Sequence, residues 1–85
     1  GSGLIEARFW QARIFLAERS PLHDRQLGIR ALTQAADGGH SHAALLLGTM
    51  LASGDGVGRD LVAARRYLQR AATKLPEAQE ALQKL

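Results

Sequence analysis

Apolar positions recur at helical spacing along almost the whole chain, and Gly, Pro and Asp punctuate them. Five helices are predicted. The first runs from about Leu4 to Glu18, where Leu4, Ile5, Phe9, Ala12 and Leu16, with Trp10 and Ile14 beside them, form a broad apolar stripe against Glu6, Arg8, Gln11 and Arg13. The second starts near Ser20-Pro21 or Asp24, either of which supplies a cap oxygen, and ends at Asp37-Gly38-Gly39, where glycine accommodates positive φ. Its expected core face is Leu27, Ala31, Leu32 and Ala35. The third spans about Ser41 to Ser53, with Ser41 as candidate cap and Gly54, Gly56 and Gly58 as the stop. The fourth follows Asp60 as N-cap and sets Leu61, Ala64, Leu68, Ala71 and Leu75 opposite Arg65, Arg66, Gln69 and Lys74. The fifth begins at Pro76, whose missing amide hydrogen costs nothing in a first turn, and carries Ala78, Ala81, Leu82 and Leu85.

The segments repeat. The fourth overlays the second at an offset of 36, with Asp60 on Asp24, Arg66 on Arg30, Leu68 on Leu32 and Ala71-Ala72 on Ala35-Ala36. The fifth overlays the third at 35, with Ala78 on Ala43 and Leu82 on Leu47. The third overlays the first at 31, with Ala43 on Ala12 and Leu47 on Leu16, which implies that the first hairpin lacks five residues of its inter-helix turn. Ala43, Ala44, Gly48, Ala64, Ala71 and Ala72 are small enough for helix axes to approach closely, so the hairpins are expected to stack and bury the leucines between them.

Length then narrows the function. A chain of 85 residues supports one core and buries only roughly 60% of its unfolded surface, which leaves no room for a deep internal ligand pocket. Cysteine is absent, so disulfides, thiolate nucleophiles and Cys-ligated zinc are excluded, while a reducing cytoplasm and an oxidising bacterial periplasm or envelope both stay open. No apolar run is long enough to span a bilayer. Gly1-Ser2-Gly3 reads as the remnant of a cleaved tag and is set aside from the fold, with residues 4–85 as a single domain.

The ordered motif Ala43-x-x-x-Leu47-Gly48, then Gly54-x-Gly56-Val57, Asp60, Ala64, Tyr67 and Ala71-Ala72 resembles the Sel-1-like repeat family, a relative of the tetratricopeptide repeats with a period of about 36 residues. Residues 41–75 form one complete repeat, residues 4–40 a degenerate first repeat, and residues 76–85 the first helix of a following repeat or a cap. Leu51 departs from the pattern, standing where the family usually has tyrosine. The resemblance implies an all-α fold, an α-α superhelix or right-handed α-solenoid of about two helical hairpins plus a C-terminal capping helix. It also implies a non-catalytic adaptor or scaffold that binds a partner protein or peptide, with the first helix of each hairpin on the concave side. On that side stand His42, Leu45 or Leu46, Thr49, Met50 and Ser53, with Gln11, Phe15 and Glu18 one hairpin earlier. Three consecutive leucines, Leu45 to Leu47, cannot all face one core, so at least one is expected at the surface. Of the adjacent Phe9 and Trp10, one is expected in the core and the other at a contact, where Trp10 suits an interface anchor. Packing of the extra leucine, of Met50 and of Trp10 against a neighbouring hairpin is the competing reading. The exposed terminal helices also offer a surface for self-association.

Other chemistry is thin. His40-Ser41-His42 places two imidazoles two positions apart with only Asp37 near in sequence, so no metal site is assigned and His40 is read as the end of a Gly-Gly turn. The segment 53–58 shares only glycine content with phosphate-cradling loops. Ser20, Ser41 and Ser53 serve as caps or turn residues rather than nucleophiles, and Glu77 and Glu80 on a terminal helix do not make an acid/base pair, so no enzyme and no cofactor is expected. The net charge of +3 raises a second class, binding of nucleic acid or acidic lipid by Arg59, Arg65, Arg66, Arg70 and Lys74. Interleaved Asp55, Asp60 and Glu77 and the lack of interspersed aromatics favour a solvated face instead. A spacer with no partner of its own is the third reading.

Overall fold

A computed structural model describes residues 2–17, 24–54 and 57–85. They form α1 (Ser2–Leu16), α2 (Arg25–Asp37), α3 (Ser41–Ser53), α4 (Leu61–Ala72) and α5 (Pro76–Gln83), with no strand among the described residues. α1 pairs with α2 and α3 with α4 as antiparallel hairpins, α2 lies against α3, and α4 carries α5, giving an all-α superhelical repeat.

Helix ends follow from local chemistry. Asp24 accepts the Leu27 amide at 3.1 Å and Asp60 accepts the Ala63 amide at 3.0 Å, so the two second helices start alike. The Ser20-Pro21 alternative, like Glu18, Asp55 and Gly56, lies outside the described residues. α3 is capped by His40, not by Ser41: the imidazole Nδ1 accepts the Ala43 amide at 3.1 Å. Gly39 and Gly54 take φ of 99° and 79°, the left-handed geometry that ends α2 and α3. α1 is displaced from its expected span of Leu4 to Glu18. It includes Ser2 and Gly3. It stops at Leu16 because the Asp24 amide takes the Phe15 carbonyl at 2.8 Å.

That last bond corrects the repeat register. The Asp60 amide takes the Leu51 carbonyl at 2.9 Å, 36 residues after the same bond in the first hairpin. The bonded pairs are equally spaced, 15 to 24 and 51 to 60, so no five-residue deletion exists, and Ala12 corresponds to Gly48 rather than to Ala43. Ala recurs at several small-residue positions, so residue identity alone does not separate the two registers. The step from α3 to α5 does run at 35: their caps are His40 and Leu75, and α4, with 12 residues, is one shorter than α2, with 13.

The core is built largely of alanine: Ala12, Ala31, Ala35, Ala36, Ala43, Ala44, Ala64, Ala71 and Ala78 are buried, with Leu32, Leu47 and Leu68 among them. Leu32 and Leu68, one period apart, are the largest fully buried side chains, each worth about 1.5–3 kcal/mol of hydrophobic stabilisation. Small residues draw the helices together. A Cβ on Gly48 would stand 2.7 Å from Leu68 Cγ, and one on Gly28 would stand 2.6 Å from Leu16 Cγ. Gly28 therefore takes the core position expected of Leu27, which is exposed on the N-terminal side of the hairpin. Leu61 and Leu85, also expected in the core, lie largely at the surface, at the start of α4 and at the chain end. Leu4, Trp10 and Ile14 are exposed too, since only the Ile5, Phe9, Ala12 and Leu16 side of α1 meets the rest of the core.

Candidate functional site

With the register fixed at 36, the first helices of the hairpins align rung by rung. By repeat position, Trp10 of α1 corresponds to Leu46 of α3, and the step of 35 assigns Ala81 of α5 to the same rung. Below it lie Glu6, His42 and Glu77; above it lie Arg13, Thr49 and Lys84. Two clefts support this alignment. One of about 420 Å³ is lined by Glu6, His40, Ser41, His42 and Lys74, and one of about 290 Å³ joins Thr49, Ser53, Ala81 and Lys84.

The middle rung is apolar and open. Trp10 is 54% exposed and Leu46 37%, although both sit in helices whose other faces are packed. Arg13 lies 4.9 Å over the Trp10 ring, a cation–π contact that helps hold the indole at the surface. Of the leucine triplet, Leu47 is buried and Leu45 packs against the core, so Leu46 is the one at the surface. Of the aromatic pair, Phe9 packs inward and Trp10 outward.

The candidate partner-binding residues do not form one group. Trp10, His42, Leu46 and Thr49 fall on the rungs assigned by repeat position, and Ser53 lines a cleft with Thr49. Met50 packs against the core instead. Gln11 and Phe15 lie on a different face of α1, in a groove with Arg8, Leu27, Arg30 and Gln34 from α1 and α2. Sequence reasoning left Glu6, Arg13, Ala81 and Lys84 off the rung face; a single 36-residue register would have put Trp10 beside Leu46 and brought them in.

The histidines divide by role. His40 Nδ1 caps α3, its Nε2 meets Glu6 Oε1 at 2.9 Å, and its ring stacks on Phe9 at 4.2 Å between centroids. Both nitrogens are engaged, so His40 ties α1 to α3. His42 is exposed at the cleft edge. No group of three His, Cys, Asp or Glu side chains converges among the described residues. The arginine cluster is partly used internally: Arg70 sits 3.6 Å from Asp37 and over the Tyr67 ring. Tyr67 donates to Asp37 at 2.9 Å, and its burial first, then that hydrogen bond, raises its pKa above the usual tyrosine value.

The fold is similar to the crystal structure of a Sel1 repeat protein from Oxalobacter formigenes, with a TM-score of 0.82 and 36% identity across 95% of this chain. It is also similar to the crystal structure of a protective antigen present in uropathogenic Escherichia coli strains that displays an SLR fold, with a TM-score of 0.79 and 30% identity across 95% of this chain. The chain spans 62% of the first and 18% of the second. No protein-family model and no curated protein matches it.

Proposed function

The chain has the Sel1-like repeat fold, and from that premise we propose that it is a non-catalytic protein-interaction module that holds a partner polypeptide along the side lined by α1, α3 and α5. The observation that carries this reading is the exposed apolar rung of Trp10 and Leu46, one period apart, with charged and polar rungs on either side. An apolar stripe bordered by charge gives a bound segment both desolvated area and a fixed register. Trp10 is the anchor, Leu46 extends it, and Glu6, His42, Arg13 and Thr49 select the flanking residues. The helices that carry them are already folded and packed, so little ordering cost falls on this side of the interface.

The test is affinity capture with the tagged chain, read by quantitative mass spectrometry against Trp10→Ala, Leu46→Arg and Arg65→Glu/Arg66→Glu versions whose helicity is confirmed by circular dichroism. A protein retained by the arginine variant and lost with both rung variants supports the reading. Capture that depends on Arg65 and Arg66, and falls away with added salt and nuclease, would replace it with binding of nucleic acid through α4.

A further inference from the structure

The molecule contains its own example of how a helix docks on a hairpin. α2 lies on the second hairpin with Ala35 and Ala36 in one cluster with Ala43, Ala44 and Leu47 of α3. At its C-terminal end, Asp37 accepts the Tyr67 hydroxyl at 2.9 Å and stands 3.6 Å from Arg70 of α4. The corresponding face of the first hairpin, one period earlier, is an open groove of about 270 Å³ between α1 and α2. Its chemistry differs in a directed way. Where α3 has Ala44 and Leu47, α1 has Arg8 and Gln11; Arg30 and Gln34 border the α2 side, and Phe15 and Leu27 give the groove an apolar floor.

Among the described residues, two arginines line this groove and no acidic side chain does. An apolar helix stacked as α2 stacks on α3 would bury guanidinium groups without partners, at a cost exceeding the area gained. A basic helix would be repelled. Carboxylates suit the site, because a guanidinium offers five donors in a planar fork, of which Arg8 commits one to Gln11 Oε1 at 3.2 Å. We infer that this α1–α2 groove is a second docking surface, distinct from the Trp10–Leu46 rung, whose occupant is an amphipathic acidic helix of another protein. The helix lies as α2 lies on the second hairpin, sets its apolar seam on Phe15 and Leu27, and directs carboxylates at Arg8 and Arg30.

The probe is a fluorescein-labelled helical peptide about 14 residues long, with an Ala/Leu seam flanked by Glu, alongside the same peptide with Lys for Glu. Fluorescence anisotropy on the full chain should show the Glu peptide binding at least about tenfold more tightly than the Lys peptide, with the gap narrowing as salt rises. Arg8→Glu and Arg30→Glu should each weaken the Glu peptide by about tenfold and strengthen the Lys peptide, a reversal that misfolding cannot produce. Arg65→Glu/Arg66→Glu and Leu46→Arg should leave both affinities alone. The inference is overturned by equal binding of the two peptides, by loss of the Glu peptide with Leu46→Arg, or by insensitivity to Arg8. It is also overturned by sedimentation that shows the groove filled by a second copy, with a dimer that dissociates on Arg8→Glu.

Discussion

Tyr67 of α4 donates its phenolic proton to Asp37 at the end of α2, at 2.9 Å, and so joins the second helices of the two hairpins. The bond exists only while the phenol is protonated. Burial, then the hydrogen bond to Asp37 and its charge, raise the Tyr67 pKa above 10.0. A group whose folded pKa is raised contributes stability that is intact below the unfolded value and is lost as pH climbs through the folded one. Stability should therefore hold to about pH 10 and decline above it. Tyr67→Phe should be less stable near neutrality by about 1 kcal/mol and show a shallower alkaline decline. Urea melts at pH 8 and across the alkaline range check this; parallel declines in the two proteins would remove Tyr67 as the cause.

Gly48 and Gly28 both let a leucine of the paired helix come close, and those leucines differ in freedom to move. Alanine in a helix interior gains about 1 kcal/mol over glycine from the backbone, while overpacking costs about 1–3 kcal/mol. At Gly48 the new methyl would press on Leu68, which is fully buried and has nowhere to go, so the overpacking cost wins and Gly48→Ala should destabilise by about 1–2 kcal/mol. At Gly28 it would press on Leu16, half-buried at the end of α1, which can turn away. Gly28→Ala should be closer to neutral. Denaturant midpoints decide it, and the reverse order would mean that α1, not the centre of the second hairpin, is the rigid part.

Leu32 and Leu68 should respond alike to truncation, since both are fully buried at the same place in successive hairpins. Each Leu→Ala change should cost about 2–5 kcal/mol, a large share of the stability of a domain this small. One cluster takes in residues from all five helices, so unfolding should remain a single transition in both variants. Coincident circular dichroism and Trp10 fluorescence melts would show this. A Trp10 signal that melts early in Leu32→Ala alone would instead make the first hairpin a separate unit.

The helices were legible because helical periodicity, Asp caps and left-handed glycines are local signals. Asp24, Asp60, Gly39, Gly54 and Pro76 mark ends that the structure keeps. Registration of α1 on α3 was not local. Ala12 matches Ala43 in kind as well as it matches Gly48 in role, and only the paired bonds from Asp24 to Phe15 and from Asp60 to Leu51 separate the two. That slip placed Gln11 and Phe15 on the partner row and obscured the pairing of Trp10 with Leu46. Leu27 differs for a related reason: its helical phase fits a core, but the close packing goes to its neighbour Gly28 and Leu27 is exposed. His40 escaped because histidine is an uncommon cap, and its tie to Glu6 spans 34 positions.

His40 is therefore the residue whose replacement separates capping from tertiary contact. Its Nδ1 accepts the Ala43 amide, so the proton sits on Nε2 and is donated to Glu6, a tautomer set by the two bonds. Loss of a cap acceptor costs about 1 kcal/mol. The link to an exposed Glu6 adds about 0.5 kcal/mol or less, because water screens it. His40→Ala should thus destabilise by about 1–2 kcal/mol, counting the ring stacked on Phe9, while His40→Asn, which restores a cap acceptor, should recover about half of that. Glu6→Gln should change little. Thermal melts of the three variants provide the check: if Glu6→Gln costs as much as His40→Ala, the histidine acts mainly as an ion-pair partner and α3 does not depend on it for its cap.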